Sequence, residues 1–523
     1  MNARRGSVRR CAAVERRLSY IAAFGWIASG VTGAVLAAVV IDRLALQPAE
    51  FASSAAAAAV LAVVFARRPA EGIGAFLLFI LFADNWEYWL GLDLRLADEG
   101  TVVMFAVVGL WHRHYVDARP QLGVKEAALA LVLATGVASS LISDVPLAVW
   151  APALILLFKA IAFFYLVSWL RLSIEDIERV GLVIGSVACA IAGLGFIEFL
   201  DPPTFQLFFG LPAFLDERAD IPVTKSLFLH PALYGWLTVA ASLFLYARFI
   251  VMRSWWALPL ALLLNVGAFL SARRTPIIGL GVALAVGLVW QVRRWPSRRT
   301  LITVWAPVAG TVFLLVLIFA PALGRLYVAT LEEYTAPPRI ISEILSPNPN
   351  AEVIAPAHAR VALYIASIAI ARDHFPLGAG LGRYGSQMSR EDYSPEYRKY
   401  GLDNVAGLQP TDDSALTDTF WPMLLGETGA LGLIAFGVFL AIVLVELWQG
   451  AGGANSLRQR AFALGALMLF VESLVGSSSS ATYVAPPIAY FVFAAAGASL
   501  ALSATERPAS EVLPLPFASR EPR

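Results

Sequence analysis

The sequence predicts an all-α polytopic integral membrane protein, because both its composition and its apolar runs suit a bilayer. Hydrophobic residues are 59% of the 523 residues and charged residues only 15%, whereas a soluble domain is about one quarter charged. The mean hydropathy is +0.70. Apolar runs of about 20 residues recur along the chain, and a helix of that length crosses the hydrocarbon core. Helices satisfy their own backbone hydrogen bonds there, so we expect a bundle of transmembrane helices.

The apolar runs, taken in order, predict about fourteen transmembrane helices. They cover 20–41, 51–66, 73–91, 100–112, 126–143, 147–170, 180–199, 231–250, 255–271, 276–292, 301–320, 420–446, 461–479 and 482–502. The first run is too long for the core of a signal peptide, so we expect it to be retained as an anchor. The run 73–91 is a weak prediction because it contains Asp84 and Glu87.

The runs also predict the domain organisation. Residues 1–19 form a basic tail, 20–320 hold the first eleven helices, and 420–502 hold the last three. Between them, 321–419 form one large polar loop of about a hundred residues, far longer than a usual connection. The end of the chain, 503–523, has a composition typical of disorder. We expect the chemistry in the large loop, since functional residues concentrate on loops positioned by a rigid scaffold.

The distribution of arginine and lysine predicts the sidedness of the chain. The positive-inside rule places cation-rich tails and connections in the cytoplasm. Besides the tail, they are Arg67/Arg68, Arg113/Arg119/Lys125, Arg171/Arg179, Arg248/Arg253, Arg293/Arg294/Arg298/Arg299 and Arg458/Arg460. Both termini are then cytoplasmic and the loop 321–419 is extracytoplasmic.

Composition also excludes some classes of partner and site. The net charge of +1 gives no indication of a nucleic-acid partner. Cys11 lies in the basic tail and Cys189 in an apolar helix, which argues against a disulfide or a cysteine metal site.

Arg273 and Arg274 break the charge rule, because they lie between two helices on the predicted outer side. Two interpretations are open. The pair could snorkel to lipid phosphates, or it could bind an anionic group, since guanidinium groups bind phosphate oxygens in pairs.

The large loop contains a predicted helix over 357–372, with Val361, Ile365 and Ile368 at helical spacing. It could lie on the membrane surface as an amphipathic helix or pack on its own small domain. A glycine run, Pro376-Leu-Gly-Ala-Gly-Leu-Gly-Arg-Tyr384, follows it. No strand precedes the run, so a dinucleotide site is a poor interpretation and tight backbone approach is a better one.

Lys159 is an ionisable residue in the middle of an apolar helix, and Glu198 and Glu472 lie near the predicted outer ends of theirs. For Lys159 we expect an ion pair between helices first and a transport role second.

Three segments then follow one another on the predicted outer face. The first is Ser271-Ala-Arg-Arg-Thr-Pro-Ile-Ile-Gly279. The second is Arg360-Val-Ala-Leu-Tyr364 with Asp373-His-Phe-Pro-Leu-Gly-Ala-Gly-Leu-Gly382. The third is Asp418-Thr-Phe-Trp-Pro-Met-Leu-Leu-Gly-Glu-Thr-Gly-Ala-Leu-Gly432. In order and spacing they resemble the bacterial O-antigen ligase and O-antigen polymerase (Wzy-like) superfamily of membrane glycosyltransferases, over roughly residues 225–450.

The resemblance implies roles for particular residues. Arg274 takes the position of an arginine in the family's first motif, and Arg360 that of its arginine helix, so both are expected to bind a diphosphate. Arg273 and Arg383 are further candidates for that role. Asp418 stands where ligases of the family carry a histidine, which favours a polymerase-like or divergent member.

The base that the resemblance requires is expected to be Asp418 or His374, with Glu427 as the next candidate. An aspartate can act as a base, but Asp418 could also cap the helix that begins near Phe420, and both roles can coexist. Glu427 lies about two turns into that helix, where a carboxylate needs a partner, and one of the arginines is a candidate for it.

The family's reaction implies a GT-C-like protein of the bacterial cytoplasmic membrane. The expected donor is an oligosaccharide on undecaprenyl diphosphate, and the acceptor is a glycan or a lipid. The acceptor hydroxyl attacks the anomeric carbon with inversion, the lipid diphosphate leaves, and no metal or other cofactor is required. Membrane lipids and other polysaccharide-export proteins are further candidate partners. The alternatives are a transporter or flippase for lipid-linked glycan, with Lys159 in its path, or a non-catalytic envelope scaffold.

Overall fold

A computed structural model describes residues 48–91, 94, 96–111, 123–213, 217–218, 221–295, 297, 299, 302–313 and 359–505. The predicted helix 20–41, both terminal tails beyond these limits and the first part of the large loop, 321–358, lie outside the described residues.

The regular secondary structure of the described residues is helical, with one two-residue antiparallel strand pair in which Arg218 lies opposite Ile221. The helices are α1 Pro48–Arg67, α2 Pro69–Leu81, α3 Ala83–Leu90, α4 Ala97–Trp111, α5 Val124–Ile142, α6 Leu147–Trp169, α7 Ile174–Leu200, α8 Pro202–Phe208, α9 Pro231–Met252, α10 Ala257–Leu270, α11 Arg274–Arg294, α12 Ile302–Phe313, α13 Ala359–Asp373, α14 Gln387–Glu391, α15 Pro395–Lys399, α16 Phe420–Gly453, α17 Leu457–Gly476 and α18 Ile488–Thr505. The strands are β1 Glu217–Arg218 and β2 Ile221–Pro222.

Seven of these helices are long and apolar enough to cross a membrane, namely α5, α6, α7, α9, α11, α16 and α17. The pair α2 and α3 makes an eighth span if it is counted as one, although it is bent by 58°. The bend falls before Asp84 and Glu87, the acids that weakened the prediction for 73–91. The predicted spans 51–66, 255–271, 301–320 and 482–502 correspond to shorter apolar helices in the described residues. The chain is therefore a membrane-embedded helical protein.

At one end of the bundle, basic residues near the helix termini form ion pairs with acidic residues of neighbouring helices. Lys125, at the start of α5, is 2.7 Å from Glu446 near the end of α16. Arg458, at the start of α17, is 2.9 Å from Glu178 in α7, which also contacts Arg248 near the end of α9. Since these helices run in alternating directions, their opposite ends gather at the other end of the bundle, which we call the site end.

A small domain with its own hydrophobic core covers residues 359–419 at the site end. Its buried side chains are Ala359, Ala362, Leu363, Ala366, Ile370, Ala379, Tyr384, Tyr397, Leu402, Val405, Leu408 and Leu416. Helix α13 thus packs on this domain through its alanine-rich face, while Ile368 on another face is 63% exposed. The helix therefore packs on its own domain, as one of its two interpretations predicts.

Helix α16 is interrupted at Gly429, whose φ of 73° and ψ of −170° are far from helical values. A Cβ at this position would lie 2.2 Å from the carbonyl carbon of Leu377. Only glycine lets the chain adopt this conformation and lets Leu377 approach so closely. The break therefore admits the glycine run of the small domain into the side of α16.

Candidate functional site

Arg360 and Asp418 are brought together at the site end. Arg360 lies in the first turn of α13, and its Nη2 donates a hydrogen bond of 2.8 Å to Oδ2 of Asp418, just before α16. The two side chains are 39% and 38% exposed. An exposed pair of this kind adds only about 0.2–1 kcal/mol to stability. Both charged groups thus remain accessible to a ligand.

Asp418 does not cap α16. The N-cap residue is Thr419, and no side-chain capping bond is formed there. The Thr419 hydroxyl is buried and has no hydrogen-bond partner in the described part of the chain. The capping role predicted for Asp418 is therefore not observed, and its carboxylate contacts Arg360 instead.

A serine turn, Ser477–Ser480, connects the other elements of the site end. The Thr275 hydroxyl in the first turn of α11 is 2.8 Å from that of Ser479. Tyr364, one helical turn after Arg360, donates to the Ser478 carbonyl at 2.8 Å, and the Trp421 indole donates to Ser477 at 2.9 Å. These bonds hold the starts of α11, α13 and α16 around one turn.

Arg273 and Arg274 therefore lie at the same end of the bundle as the Arg360–Asp418 pair. Arg273 precedes α11, Arg274 is its first residue, and both are partly exposed. The turn before them is strained, because Ala272 has a φ of 48°, in a region that L-residues other than Asn and Asp rarely adopt. Such outliers concentrate at functional positions, and this one sets the direction in which the chain enters α11.

Glu427 is held by the small domain. Its Oε1 accepts hydrogen bonds from the Ser386 hydroxyl at 2.6 Å and from the Tyr384 backbone N–H at 3.2 Å. The residue is only 4% exposed. Its partners are thus a hydroxyl and backbone N–H groups rather than an arginine, and the carboxylate is positioned to fasten the domain to α16.

Backbone hydrogen bonds complete this attachment. The N–H of Ala379 donates to the Gly426 carbonyl at 2.8 Å, and that of Gly380 to the Glu427 carbonyl at 3.2 Å. The Ser139 hydroxyl at the end of α5 contacts the carbonyls of Gly378 and Glu427 at 2.5 and 3.0 Å. The glycine run is thus a close-packed joint, which agrees with the tight backbone approach predicted for its glycines.

The other two predicted site residues lie on the small domain. His374 follows α13, and its Nε2 is buried without a hydrogen-bond partner in the described residues. Arg383 is partly exposed in the glycine run, and its backbone N–H donates to Gly380. Within the described chain no ion pair links either side chain to the Arg360–Asp418 pair.

Two buried tyrosines, Tyr384 and Tyr397, belong to the hydrophobic core of the small domain. Tyr384 donates to the Leu363 carbonyl at 2.6 Å, and Tyr397 lies 2.7 Å from the Ser389 hydroxyl. Burial raises the pKa of both phenols above the usual value. They remain neutral hydroxyl groups that orient the backbone behind the site.

Two features of the site were missed or undervalued from sequence. The serine turn carried a signal, because four consecutive serines follow an apolar helix. Glu472 is 2% exposed in α17, and a Cβ on Gly279 of α11 would lie 2.8 Å from its Cγ. Gly279 ends the motif that contains Arg274, and this contact explains why a residue without a side chain suits that position.

Comparison with known proteins adds no assignment. No protein-family model matches the chain, and none of the curated proteins is significantly similar to it in sequence.

Proposed function

We propose that this protein is an inverting membrane glycosyltransferase of the O-antigen ligase and O-antigen polymerase type. In this proposal it acts on undecaprenyl-diphosphate-linked glycans at the outer face of the bacterial cytoplasmic membrane. It polymerises surface polysaccharide repeat units or transfers them to an acceptor. The chain crosses the membrane about fourteen times, with both termini in the cytoplasm and the loop 321–419 outside.

The observation that carries the proposal is the accessible Arg360–Asp418 pair, which lies at the same end of the bundle as the Arg273–Arg274 turn. A cation and a carboxylate 2.8 Å apart combine the two functions that the reaction needs at one place. The arginine neutralises charge on a departing diphosphate, and the carboxylate accepts the proton of an attacking hydroxyl. Asp418 does not cap α16, and its ion pair with Arg360 is partly exposed, so both charged groups can take part in a reaction.

The roles follow from chemistry and position. Arg274 and Arg360 bind diphosphate oxygens through paired N–H donors, with Arg273 and Arg383 as supporting cations. As the sugar transfers, negative charge grows on the leaving diphosphate, and the arginines stabilise it. Asp418 exchanges its contact with Arg360 for the acceptor hydroxyl, so that diphosphate binding to Arg360 releases the base. His374 is the alternative base, and Glu427 is assigned to structure.

The transporter alternative is supported by a different observation, the cluster of charged groups around Lys159, which is treated below. The serine turn and the strained arginine turn favour the transferase, since they build a site at the end of the bundle and not along a path through it.

Two experiments test the proposal. Deletion of the gene followed by surface glycan analysis should remove long chains if the protein is a polymerase, or leave lipid-linked chains unattached if it is a ligase. Unchanged surface glycan would contradict both. Reporter fusions at Pro349 and after Ala504 should report an outer and a cytoplasmic location respectively. A cytoplasmic signal at Pro349 would separate the site from its donor and would exclude the proposal.

Activity of the purified full chain is the direct assay. It should transfer or polymerise lipid-diphosphate-linked oligosaccharide, and Arg360→Ala should abolish the product. Arg390→Ala is a matched control, because Arg390 pairs with Asp413 at 2.9 Å on the same domain and with similar exposure. Equal losses in the two variants would mean that the effect is on folding and not on a site.

A further inference from the structure

A lysine and two acids lie together inside the bundle. The Lys159 ammonium, in the middle of α6, is 2.6 Å from Oδ2 of Asp98 and 2.7 Å from Oε1 of Glu99. Both acids belong to the first turn of α4. The three side chains are only 6%, 5% and 11% exposed. The ion pairing expected for Lys159 is confirmed, and we call these residues the buried triad.

Aromatic side chains surround the buried triad. Tyr490 of α18 donates a hydrogen bond of 3.0 Å to Oδ2 of Asp98. Its ring packs edge-on against Phe76 of α2 and Phe163 of α6, with centroids 5.0 and 5.4 Å away. The triad and the Tyr490 hydroxyl are the titratable groups that face one another here from α4, α6 and α18. The aromatic rings supply no counter-charge, so within the described part of the chain the triad balances its own charge.

Counting charges shows an imbalance. One ammonium against two carboxylates leaves a net negative charge in an apolar interior. A buried carboxyl group without a counter-charge takes up a proton, because burying the ion is far more costly. Asp98 and Glu99 also contact the same ammonium, so their carboxyl groups lie close to each other. Two ionised carboxylates this close repel each other, and a proton on one of them removes the repulsion.

The contacts indicate which group holds the proton. Asp98 accepts hydrogen bonds from both Lys159 and Tyr490, as a carboxylate does. Oε2 of Glu99 is buried and accepts no hydrogen bond in the described residues. An ionised Glu99 would leave that oxygen charged and unsatisfied, whereas a protonated Glu99 can donate from it to Asp98.

We propose that the buried triad is a proton-binding site, in which Glu99 carries one proton shared with Asp98 and Lys159 remains charged. This site is separate from the proposed glycosyl transfer. Releasing the proton leaves an uncompensated charge where α4, α6 and α18 meet, so the packing of these helices depends on whether the proton is bound.

Infrared spectroscopy of the full chain in phosphatidylcholine vesicles tests the proposal, because a protonated carboxyl group has a carbonyl stretch distinct from that of a carboxylate. At neutral pH the wild type should show this band, and Glu99→Gln should lose one carboxyl group's share of it. Asp98→Asn should lose the same share, since Lys159 then needs Glu99 as its only carboxylate. Glu446→Gln is the control and should leave the band unchanged, because Glu446 pairs one-to-one with Lys125.

Identical bands in the wild type and in Glu99→Gln would overturn the proposal. A band that falls in Glu99→Gln but persists fully in Asp98→Asn would overturn the sharing of the proton. Glutamine has the shape of a neutral glutamic acid, so Glu99→Gln is the variant most compatible with folding, and thermal unfolding checks it. If Asp98→Asn does not fold, the comparison of the wild type with Glu99→Gln decides alone.

Discussion

The guanidinium group of Arg360 and the carboxylate of Asp418 are 2.8 Å apart although 58 residues separate them in sequence. Their contact joins the first helix of the small domain to the segment that enters α16. The pair is nearly 40% exposed on both sides, so its loss should disturb folding little. Substitutions here can therefore separate chemistry from stability.

Asp418→Asn should lower turnover by on the order of a hundredfold or more, because the amide cannot accept a proton. Donor binding should change little, since the arginines remain. The measurement is the rate of glycan elongation or transfer by the purified enzyme at saturating donor. Asp413→Asn is the control, as it alters a matched pair with Arg390. Wild-type turnover in Asp418→Asn would exclude the base role and leave His374 as the candidate. Asp418→His introduces the residue that the ligases of the resembled family carry here, and it should recover part of the activity that Asp418→Asn loses.

Arg274→Ala should abolish product while the protein remains in the membrane, and Arg273→Ala should have a milder effect. In the proposed resemblance Arg274 takes the position of the motif arginine, and it is the first residue of α11. Arg274→Lys should rescue activity only partly, since an ammonium cannot form the paired contact of a guanidinium. Product formation and membrane-fraction blots measure the two effects. Normal product from Arg274→Ala would rule out its assignment to the diphosphate.

Glu427→Gln should destabilise the protein by about 1 kcal/mol, because the amide oxygen is a weaker acceptor than a carboxylate oxygen for the two donors that face it. Its partners are the Ser386 hydroxyl and the Tyr384 N–H. Thermal unfolding and limited proteolysis of the small domain should detect the change. The folded fraction should keep its turnover, and Glu391→Gln at an exposed position is the control. A large loss of turnover without loss of stability would return Glu427 to the list of candidate bases.

Gly429→Ala should destabilise the protein by at least about 2 kcal/mol, because its backbone conformation is essentially restricted to glycine. The added Cβ would also lie 2.2 Å from the Leu377 carbonyl carbon. Gly437→Ala, in the same helix, meets no atom within 4 Å and should be neutral or stabilising by up to about 1 kcal/mol. The melting temperatures of the two variants in one detergent provide the measurement. Equal melting temperatures would mean that the non-helical conformation at Gly429 does not contribute to stability.

Much of the helical framework could be predicted from sequence, because long apolar runs report directly on bilayer crossing. The predicted helices 147–170 and 231–250 correspond closely to α6 and α9. Periodicity did not reveal the bend between α2 and α3. Nor did it identify the buried face of α13, since that helix uses alanines against its domain, and alanine is a weak marker in a pattern of large apolar residues.

The sequence provides candidate residues for the site, and it does not predict their contacts. The arginines and Asp418 were recognised from motif order, whereas the pairing of Arg360 with Asp418 depends on how the small domain folds back. Glu427 was a candidate for pairing with an arginine, and its contacts with Ser386 and Tyr384 depend on the path of the glycine run. Long-range contacts of this kind leave no local pattern in a single sequence.

The joint between the glycine run and α16 constrains how the protein can be made. The ribosome synthesises residues 376–382 before their acceptor carbonyls on Gly426 and Glu427 exist, whereas Ser139 has long been inserted. During translation the small domain therefore lacks its hydrogen bonds to α16 until that helix has been synthesised and inserted. A fragment that ends before α16 would lack these acceptor carbonyls. Complete folding of the small domain therefore depends on the insertion of α16 into the membrane.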